Sequence, residues 1–365
     1  MIAVTSPEIG LSTSHPPSSY DSFARLTDEE MYWRDHQVFL EAQGYMLRHR
    51  YQPDWTPSWR GKRPQDALKA EDAFALKLRT SVIDATRISD GTLVYIKRTR
   101  TDSQELQIVA YLNSDELRQD PRNHCIPLLD VLQDPSAPDT SFMVMPFLRY
   151  IDSPPMERVE DVLDCFDQVL EGLVFIHDHG VAHRDCAYKN VMMDAAALFP
   201  RGFHPVLQLS LPDISSDAPV LSRAAVPINY YYIDFGISTR FTPDSPSKLV
   251  VGSWGLDWEP PELSETVPYD PFKLDVFLIG NLMRRQFCDK YFNLTMLEPL
   301  MNQMVDQDPA RRPTAAEAYQ QYTAIRRSVS SITRYWSLQP RDSFLLGRAF
   351  RHTYSLFYAI YRSIF

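Results

Sequence analysis

Glycine is scarce in this sequence, and cysteine and positive charge are limited as well. The 365 residues include 12 glycines, about half of the usual share of roughly 7%, and glycine is the residue that lets a loop approach a phosphate closely. The four cysteines form no C-x-x-C pair and stand near no histidine cluster, which argues against a zinc site. Acidic residues outnumber basic ones by 47 to 37, and this balance excludes a general binder of nucleic acid.

Long apolar runs are also missing. No stretch reaches the ~18 uncharged apolar residues that a membrane span requires. The segment Met1–Gly10 lacks the basic start and the apolar core of a signal peptide. We therefore expect a soluble protein of the cytoplasm or the nucleus, with its thiols reduced.

The length and the composition predict a folded protein with two lobes. Hydrophobic residues make up 44% and charged residues 23% of the chain, as in ordinary globular proteins, and the chain exceeds the roughly 250–300 residues at which a single core stops growing. The start is rich in Ser, Thr and Pro, which predicts disorder. We divide the chain into a disordered N-terminus, an N-terminal extension with a helix, a small lobe, a large lobe and a C-terminal tail, at 1–20, 21–79, 80–148, 149–325 and 326–365.

The pattern of apolar residues changes along the chain from strand-like to helix-like. A capping-box pattern at Thr27 predicts a helix that includes Met31 and Tyr45. Helical spacing is present at 103–112 and from Val159 towards Gly180. Strand-like runs cover 81–88, 92–97, 126–132, 141–148 and 230–233. Strands first and helices later indicate an α+β protein with a sheet-rich small lobe and a mainly helical large lobe.

Two short motifs carry most of the functional signal. The first runs from His183 through Asp185 to Asn190, and the second is Asp234-Phe235-Gly236. Phosphoryl transfer needs one carboxylate to accept a hydroxyl proton, and an Asn and a second carboxylate to hold Mg²⁺. The two motifs, present together and in this order, resemble the H-R-D-x-x-x-x-N and D-F-G signature of the protein kinase superfamily.

Other segments resemble the same family between about residues 80 and 325. Lys97 ends a strand similar to V-A-I-K, and Glu105 is similar to the helix glutamate that pairs with that lysine. Met145–Leu148 resembles the hinge beside the adenine pocket. Pro260-Pro261-Glu262 resembles A-P-E, and Asp275 and Arg312 are similar to family positions in the large lobe. Within this superfamily, the sequence looks most like the divergent protein-kinase-like proteins of mushroom-forming fungi.

The resemblance implies a bilobal protein-kinase-like fold and transfer of the γ-phosphoryl group of ATP, with Mg²⁺, to a protein hydroxyl. Asp185 is then the base, Asn190 and Asp234 hold the metal, and Lys97 anchors phosphate with Glu105. The remaining nucleotide contacts implied are Val82, Met145, Phe147 and Leu148. Ala187 stands where serine/threonine kinases carry Lys, so Lys189 is the candidate for that charge and both Ser/Thr and Tyr targets stay open.

The sequence departs from the family pattern in three further places, of which the first and the third favour an alternative. The segment Ala75–Ser81 has no glycine where the resemblance expects a glycine-rich loop, Pro200–Pro227 is a turn-rich insert, and Gly252–Trp258 differs from the usual segment before A-P-E. The alternative is a pseudokinase that acts as a binding or scaffold module. A small-molecule kinase is a more distant third, because those enzymes carry Gly rather than Arg between the His and the Asp.

Three further hypotheses concern Arg184, Cys186 and the tail. Arg184 resembles the arginine that binds a phosphate in the activation segment, with an ordinary polar loop as the alternative. The candidate acceptors are Thr239, Thr242, Ser245, Ser247 and Ser253. Cys186 is either a redox-sensitive thiol or a small buried side chain. The apolar and basic tail from Phe344 to Phe365 either packs on the large lobe or lies on a membrane surface.

Overall fold

The small lobe contains a five-stranded antiparallel sheet. The computed structural model describes residues 21–75 and 81–342. The strands of the sheet are β1 (Tyr45–Leu47), β2 (Val82–Arg87), β3 (Leu93–Arg100), β4 (Asp130–Gln133) and β5 (Thr140–Pro146). Their order is β1-β2-β3-β5-β4. In the central strand, Lys97 is paired with Val82 on one side and with Met143 on the other, so the lysine lies between β2 and the strand that leads into the hinge.

Helix α1 (Asp28–Ala42) packs on this sheet through the ring of Trp33, whose centroid lies 5.8 Å from that of Phe142. Both hydrogen bonds of the predicted capping box at Thr27 are present. The prediction that Tyr45 lies on this helix was wrong. Gly44 adopts a φ of +92°, which turns the chain into β1, so the sheet begins inside the predicted N-terminal extension.

Helix α2 (Gln104–Leu112) follows β3 and begins at Ser103, whose side chain accepts the N–H of Leu106. The predicted strand at 126–132 begins only at Asp130. The reason is a contact with the large lobe: the N–H of Ile126 donates to the carbonyl of Tyr232 at 2.9 Å, which takes this segment out of the ladder with β5.

The large lobe is mainly helical, which confirms the predicted α+β class. Its helices are α3 (Val159–Asp178), α4 (Pro271–Met283), α5 (Glu298–Met304), α6 (Ala315–Ser328) and α7 (Ser331–Tyr335). Its short strands are β6 (Arg149–Tyr150), β7 (Val181–Ala182), β8 (Val191–Asp194), β9 (Asn229–Tyr232), β10 (Thr239–Arg240), β11 (Val250–Gly252) and β12 (Ser264–Tyr269). They form a three-stranded sheet, β6-β8-β9, and the pairs β7-β10 and β11-β12. Of these strands, the sequence predicted only β9, as a strand at 230–233.

Helix α4 lies at the centre of the large lobe, with nearly all of its residues buried. Gly280 allows close packing, since a Cβ there would lie 2.7 Å from Met304 Cβ. The carboxylate of Glu262 accepts hydrogen bonds from both terminal nitrogens of the buried Arg312, as the resemblance implied. None of the helices within the described residues is both long and apolar enough to span a bilayer.

All four cysteines are buried and unpaired. All four belong to the core cluster that also contains residues of Met145–Leu148 and of helix α3: Cys125, Cys165, Cys186 and Cys288. Burial raises the pKa of every one of these thiols, that of Cys288 to about 12. Cys186 therefore fits the description of a small buried side chain rather than that of a reactive thiol.

Some predictions fall wholly or partly outside the described residues. These are the disorder over 1–20, the glycine-free stretch at 76–80, and the tail from Phe344 to Phe365. The described start of the tail does pack on the large lobe, where the N–H of Val159 donates to the carbonyl of Trp336 at 3.0 Å.

Candidate active site

A lysine between two carboxylates occupies one end of the cleft between the lobes. Lys97 Nζ lies 2.6 Å from an oxygen of Glu105 and 3.1 Å from Oδ1 of Asp234. Strand β3 supplies the lysine, helix α2 supplies the glutamate, and the segment after β9 supplies the aspartate. All three side chains are partly buried, so the charges are held in place with restricted access to water.

The motif from His183 to Asn190 is fixed to the core by a buried carboxylate. Asp275, on α4, accepts the backbone N–H groups of His183 at 2.7 Å and Arg184 at 2.6 Å. Arg184 adopts a φ of +68°, an uncommon value for a residue other than glycine. The side chain of His183 lies against Phe235 at 4.7 Å between ring centroids. The loop conformation is thus set by α4 and by the D-F-G segment together.

Asp185 and Asn190 are in direct contact. The Nδ2 of Asn190 donates to Oδ2 of Asp185 at 2.7 Å and to its carbonyl at 3.0 Å. The amide nitrogen of Asn190 is therefore hydrogen-bonded, but its oxygen is not. Oδ1 of Asn190 is buried and has no hydrogen-bond partner among the described residues. A buried oxygen without a partner is costly, and an amide oxygen is a hard ligand of the type Mg²⁺ accepts.

Asp234 completes a donor set that suits Mg²⁺. It adopts a φ of +60°, which an aspartate tolerates better than most residues, and its carboxylate faces Lys97. An amide oxygen and a carboxylate are the protein ligands that a phosphate-bound magnesium ion needs, since the remaining positions go to substrate and water. Asn190 and Asp234 therefore fit this metal by their chemistry.

The other oxygen of Asp185 contacts the segment before Glu262. Its Oδ1 accepts the N–H of Leu256 at 2.8 Å, and Gly255, at a φ of +148°, lies so close that a Cβ would be 3.3 Å from the same oxygen. Burial raises the pKa of the Asp185 carboxyl; the hydrogen bonds from Leu256 and Asn190 offset part of this effect. Both oxygens of the carboxylate are therefore engaged in this conformation.

A cleft of about 290 Å³ lies between the lobes, above β6 and β8. Eight of its lining residues were predicted as site residues: Val82, Lys97, Glu105, Met145, Phe147, Leu148, Lys189 and Asp234. Asp185 and Asn190 do not line it, and Lys189 connects it to their loop. Lys189 is exposed. Tyr95, Tyr150, Met192 and Gln208 also line the cleft and were missed by sequence reasoning.

The insert covers the hinge side of this cleft. Arg149 is almost fully buried, and its guanidinium lies 4.4 Å and 4.7 Å from the ring centroids of Phe199 and Phe203. Phe203 in turn lies 5.7 Å from Phe147 of the hinge, between ring centroids. The turn-rich insert predicted at 200–227 is thus packed onto the cleft, because its aromatic residues need burial.

The connection between β1 and β2 meets the insert. The described residues of this connection, 48–75, form an irregular segment with short 3₁₀ turns. Glu71 in this connection lies 3.1 Å from both His204 of the insert and Arg48, and Arg48 is also paired with the buried Asp84 of β2. We call the 48–81 connection and the 195–228 insert the cover of the cleft.

Arg184 is bound by the protein's own oxygens. Its guanidinium donates to the carbonyls of Val251 at 2.9 Å and Ile237 at 3.2 Å. Among the five candidate phosphate acceptors, Thr239 has its hydroxyl 3.4 Å from Arg184, whereas the Ser253 hydroxyl donates to Glu265. The phosphate hypothesis stays a prediction, with Thr239 as the acceptor within reach.

No family model matches this chain, but several curated kinases are similar to it. It is 25% identical over 215 residues to the serine/threonine-protein kinase PSK1 of Saccharomyces cerevisiae, a match to 54% of this chain and 12% of that protein. It is 22% identical over 150 residues to sperm motility kinase Z and 25% identical over 175 residues to sperm motility kinase 2B, both of Mus musculus. These two matches cover 41% and 42% of this chain and 22% and 29% of the relatives. The matched region is thus less than a third of each relative, and the similarity supports a protein-kinase-like superfamily.

Proposed function

We propose that this protein is an ATP- and Mg²⁺-dependent protein kinase. The observation that carries the proposal is the arrangement around Lys97, which contacts both Glu105 and Asp234 while Asn190 keeps a buried oxygen without a partner among the described residues. A purely structural role of Lys97 would explain its two ion pairs but not the unpartnered oxygen of Asn190. A phosphate-bound metal ion explains both, because it needs the oxygen ligands and the cation beside them.

Each residue has a distinct role in the proposed reaction. Lys97 stabilises the phosphates, and Glu105 holds Lys97 in position. Asn190 and Asp234 hold Mg²⁺, which when bound neutralises charge that develops on the phosphate oxygens. Asp185 accepts the proton of the substrate hydroxyl, and the Nδ2 of Asn190 orients its carboxylate.

The target class proposed is a Ser or Thr hydroxyl of a protein, with Tyr as the less supported choice. The support is that the similar proteins are named as kinases, one of them as a serine/threonine-protein kinase. In place of the usual loop lysine, Lys189 lines the cleft next to Asn190 and offers the positive charge. The narrower likeness to kinase-like proteins of mushroom-forming fungi stays part of this proposal.

One observation favours the second candidate, a pseudokinase that binds partners. The N–H of Leu256 occupies Oδ1 of Asp185, where the base of an active kinase meets its substrate. Next to this contact, Trp254 and Trp258 are 75% and 80% exposed, and exposed aromatic residues are common in binding surfaces. For the kinase proposal, the segment around Leu256 has to move when the substrate binds.

Transfer of ³²P from Mg·ATP to the protein itself and to a mixture of proteins tests the proposal. We expect label with the wild type and with the control Asp213→Asn, which removes an exposed carboxylate of the insert. Asp185→Asn is expected to lose about 10²–10⁴-fold of the rate, and phosphoamino-acid analysis then separates Ser/Thr from Tyr. Absence of label from folded wild type that binds ATP contradicts the kinase proposal and supports the pseudokinase.

A further inference from the structure

The insert brings one polar side chain to the cleft that the kinase resemblance does not account for. Gln208 lines the cleft together with Tyr150, Lys189 and Met192. Its amide has one weak contact among the described residues, from Nε2 to the carbonyl of Pro205 at 3.4 Å. A half-buried amide at a cleft wall therefore keeps most of its donor and acceptor capacity for a ligand.

The backbone of Gln208 is held firmly although its side chain is not. Its carbonyl accepts a hydrogen bond from Nη1 of Arg149 at 2.6 Å. Arg149 also donates to the carbonyl of Ser153 at 3.0 Å. The guanidinium is enclosed by the rings of Phe199 and Phe203. The insert is thus tied to β6, directly after the hinge, and the position of Gln208 at the cleft is fixed.

A second contact, through His204, attaches the insert to the small lobe. His204 is fully buried, and its Nδ1 accepts the N–H groups of Val206 at 3.2 Å and Leu207 at 2.9 Å. The proton of the ring is therefore on Nε2, which donates to Glu71 at 3.1 Å. The turn that ends at Gln208 is anchored in both lobes, so this wall of the cleft is a built feature and not a loose loop.

The location of Gln208 indicates which part of a nucleotide it meets. On the proposed function, the base lies at the hinge and the phosphates lie at Lys97, so the sugar lies between them. Tyr150 and Met192 are paired across β6 and β8, and this pair connects the end of the hinge with the loop of Asn190. Gln208 lines the same stretch of the cleft.

We propose that Gln208 is a specificity-determining residue that hydrogen-bonds the ribose hydroxyls of the bound nucleotide. The inference rests on the proposed nucleotide site and not on catalysis. The carboxamide offers a donor and an acceptor, which matches a pair of neighbouring hydroxyl groups. The insert would thereby give the protein a preference for ribonucleotides that the motif residues do not supply.

Isothermal titration of the full chain with Mg·ATP and with Mg·2′,3′-dideoxy-ATP tests this. We expect the wild type to bind ATP about tenfold more tightly, as the loss of two hydrogen bonds predicts. Gln208→Leu, which keeps the size but removes the amide, is expected to weaken ATP and bring the ratio close to one. Gln119→Leu, at an exposed position far along the chain, is the control and keeps the wild-type ratio.

The outcomes separate this inference from the proposed function. Equal affinity of the wild type for both nucleotides, or an unchanged ratio in Gln208→Leu, overturns the role of Gln208 and leaves the nucleotide site intact. A folded wild type that binds neither nucleotide rejects the nucleotide site and this inference together. Thermal unfolding of Gln208→Leu shows that the variant is folded, and Gln208→Ala gives a second variant with the same expected loss of ratio.

Discussion

The phosphate end of the cleft (Lys97, Glu105 and Asp234, where the proposed function places the phosphates) and the cover differ in how their contacts are marked in the sequence. Lys97 and Glu105 are separated by 8 positions, and Asp185 and Asn190 by 5. In the cover, Glu71 and His204 are separated by 133 positions. Lys97 and Asp234 are even further apart, by 137 positions, but each belongs to a motif. Glu71 and His204 belong to none, so their contact depends on how the whole chain folds.

The two regions also differ in their chemistry. The phosphate end is a set of charged side chains in which Lys97 contacts Glu105 and Asp234, and the proposed function places Mg·ATP there. The cover relies on aromatic packing around one enclosed cation, Arg149, whose pKa burial lowers to about 10. We expect variants of the first region to change the rate of phosphoryl transfer, and variants of the second to change stability and nucleotide affinity.

The largest effect is expected for Asp234→Asn, which removes the anionic metal ligand. We expect the transfer rate to fall about 10³-fold, because the charge of Mg²⁺ is no longer balanced at this position. Titration with ATP in the presence and absence of Mg²⁺ is the measurement, and Mg²⁺ should lose its effect on affinity. A variant whose ATP affinity still responds to Mg²⁺ as in the wild type would falsify the metal role of Asp234.

A smaller effect is expected for Glu105→Gln, which removes one of the two carboxylates at Lys97. The lost charge-assisted hydrogen bond corresponds to about 2 kcal/mol, so kcat/KM should fall about 30-fold. Steady-state kinetics give the value, and Glu116→Gln, at an exposed position just after the same helix, is the control. Equal kinetics of both variants contradict the role assigned to Glu105.

His204→Leu tests the cover. The variant removes the donor to Glu71 and the acceptor of the Val206 and Leu207 N–H groups, so the free energy of unfolding should fall by about 2 kcal/mol. Urea denaturation measures this, with the exposed His49→Leu as the control. At saturating ATP, kcat should stay near the wild-type value; a fall as large as in Glu105→Gln shows that the cover and the phosphate end act as one unit.

The smallest effects concern pH, and their signs are opposite in the two regions. Burial raises the pKa of Glu71 less than the hydrogen bonds from His204 and Arg48 lower it, so its ionised form stabilises the fold above the usual pKa of 4.5. That stability is lost as pH falls through the lowered pKa. The pKa of Asp185 is raised above 3.8, chiefly by burial, so its contribution is present at low pH and is lost as pH rises through the raised pKa.

At pH 7 we therefore expect Asp185→Asn to unfold at a higher temperature than the wild type and Glu71→Gln at a lower one. Both differences should shrink as the solution is acidified. Unfolding temperatures of both variants and the wild type, measured from pH 7 down to acidic pH, give these differences. Shifts of the two variants in the same direction at pH 7 contradict the electrostatic difference between the two regions.

The motif residues could be placed from the sequence because their partners are local or belong to one recognised signature. Lys97, Glu105 and Asp234 come together as the resemblance implied. Gln208 and Glu71 were missed, since each depends on a contact with a segment far away in the chain. Tyr45 was assigned to the wrong element because the turn at Gly44 was not recognised.

The insert did carry a signal that was not used. Phe199, Phe203 and His204 stand close together in a segment otherwise rich in turn residues, and such a group seldom stays in solvent. Their partner Arg149 has no motif around it, so the enclosed guanidinium follows from the fold alone. The lack of glycine before Val82 was read from the sequence, but the contact of the preceding connection with the insert, through Glu71 and His204, was not predicted.

The four buried cysteines provide a way to measure local opening of the structure. Alkylating reagents attack the thiolate, and the raised pKa of each thiol leaves almost none of it at neutral pH. Labelling therefore requires that the surrounding structure opens first. Cys186 is next to the proposed base, Cys165 is inside α3, and Cys288 follows α4. The order in which the four positions gain mass in a pulse of iodoacetamide will map which part of this core opens first, without any introduced label.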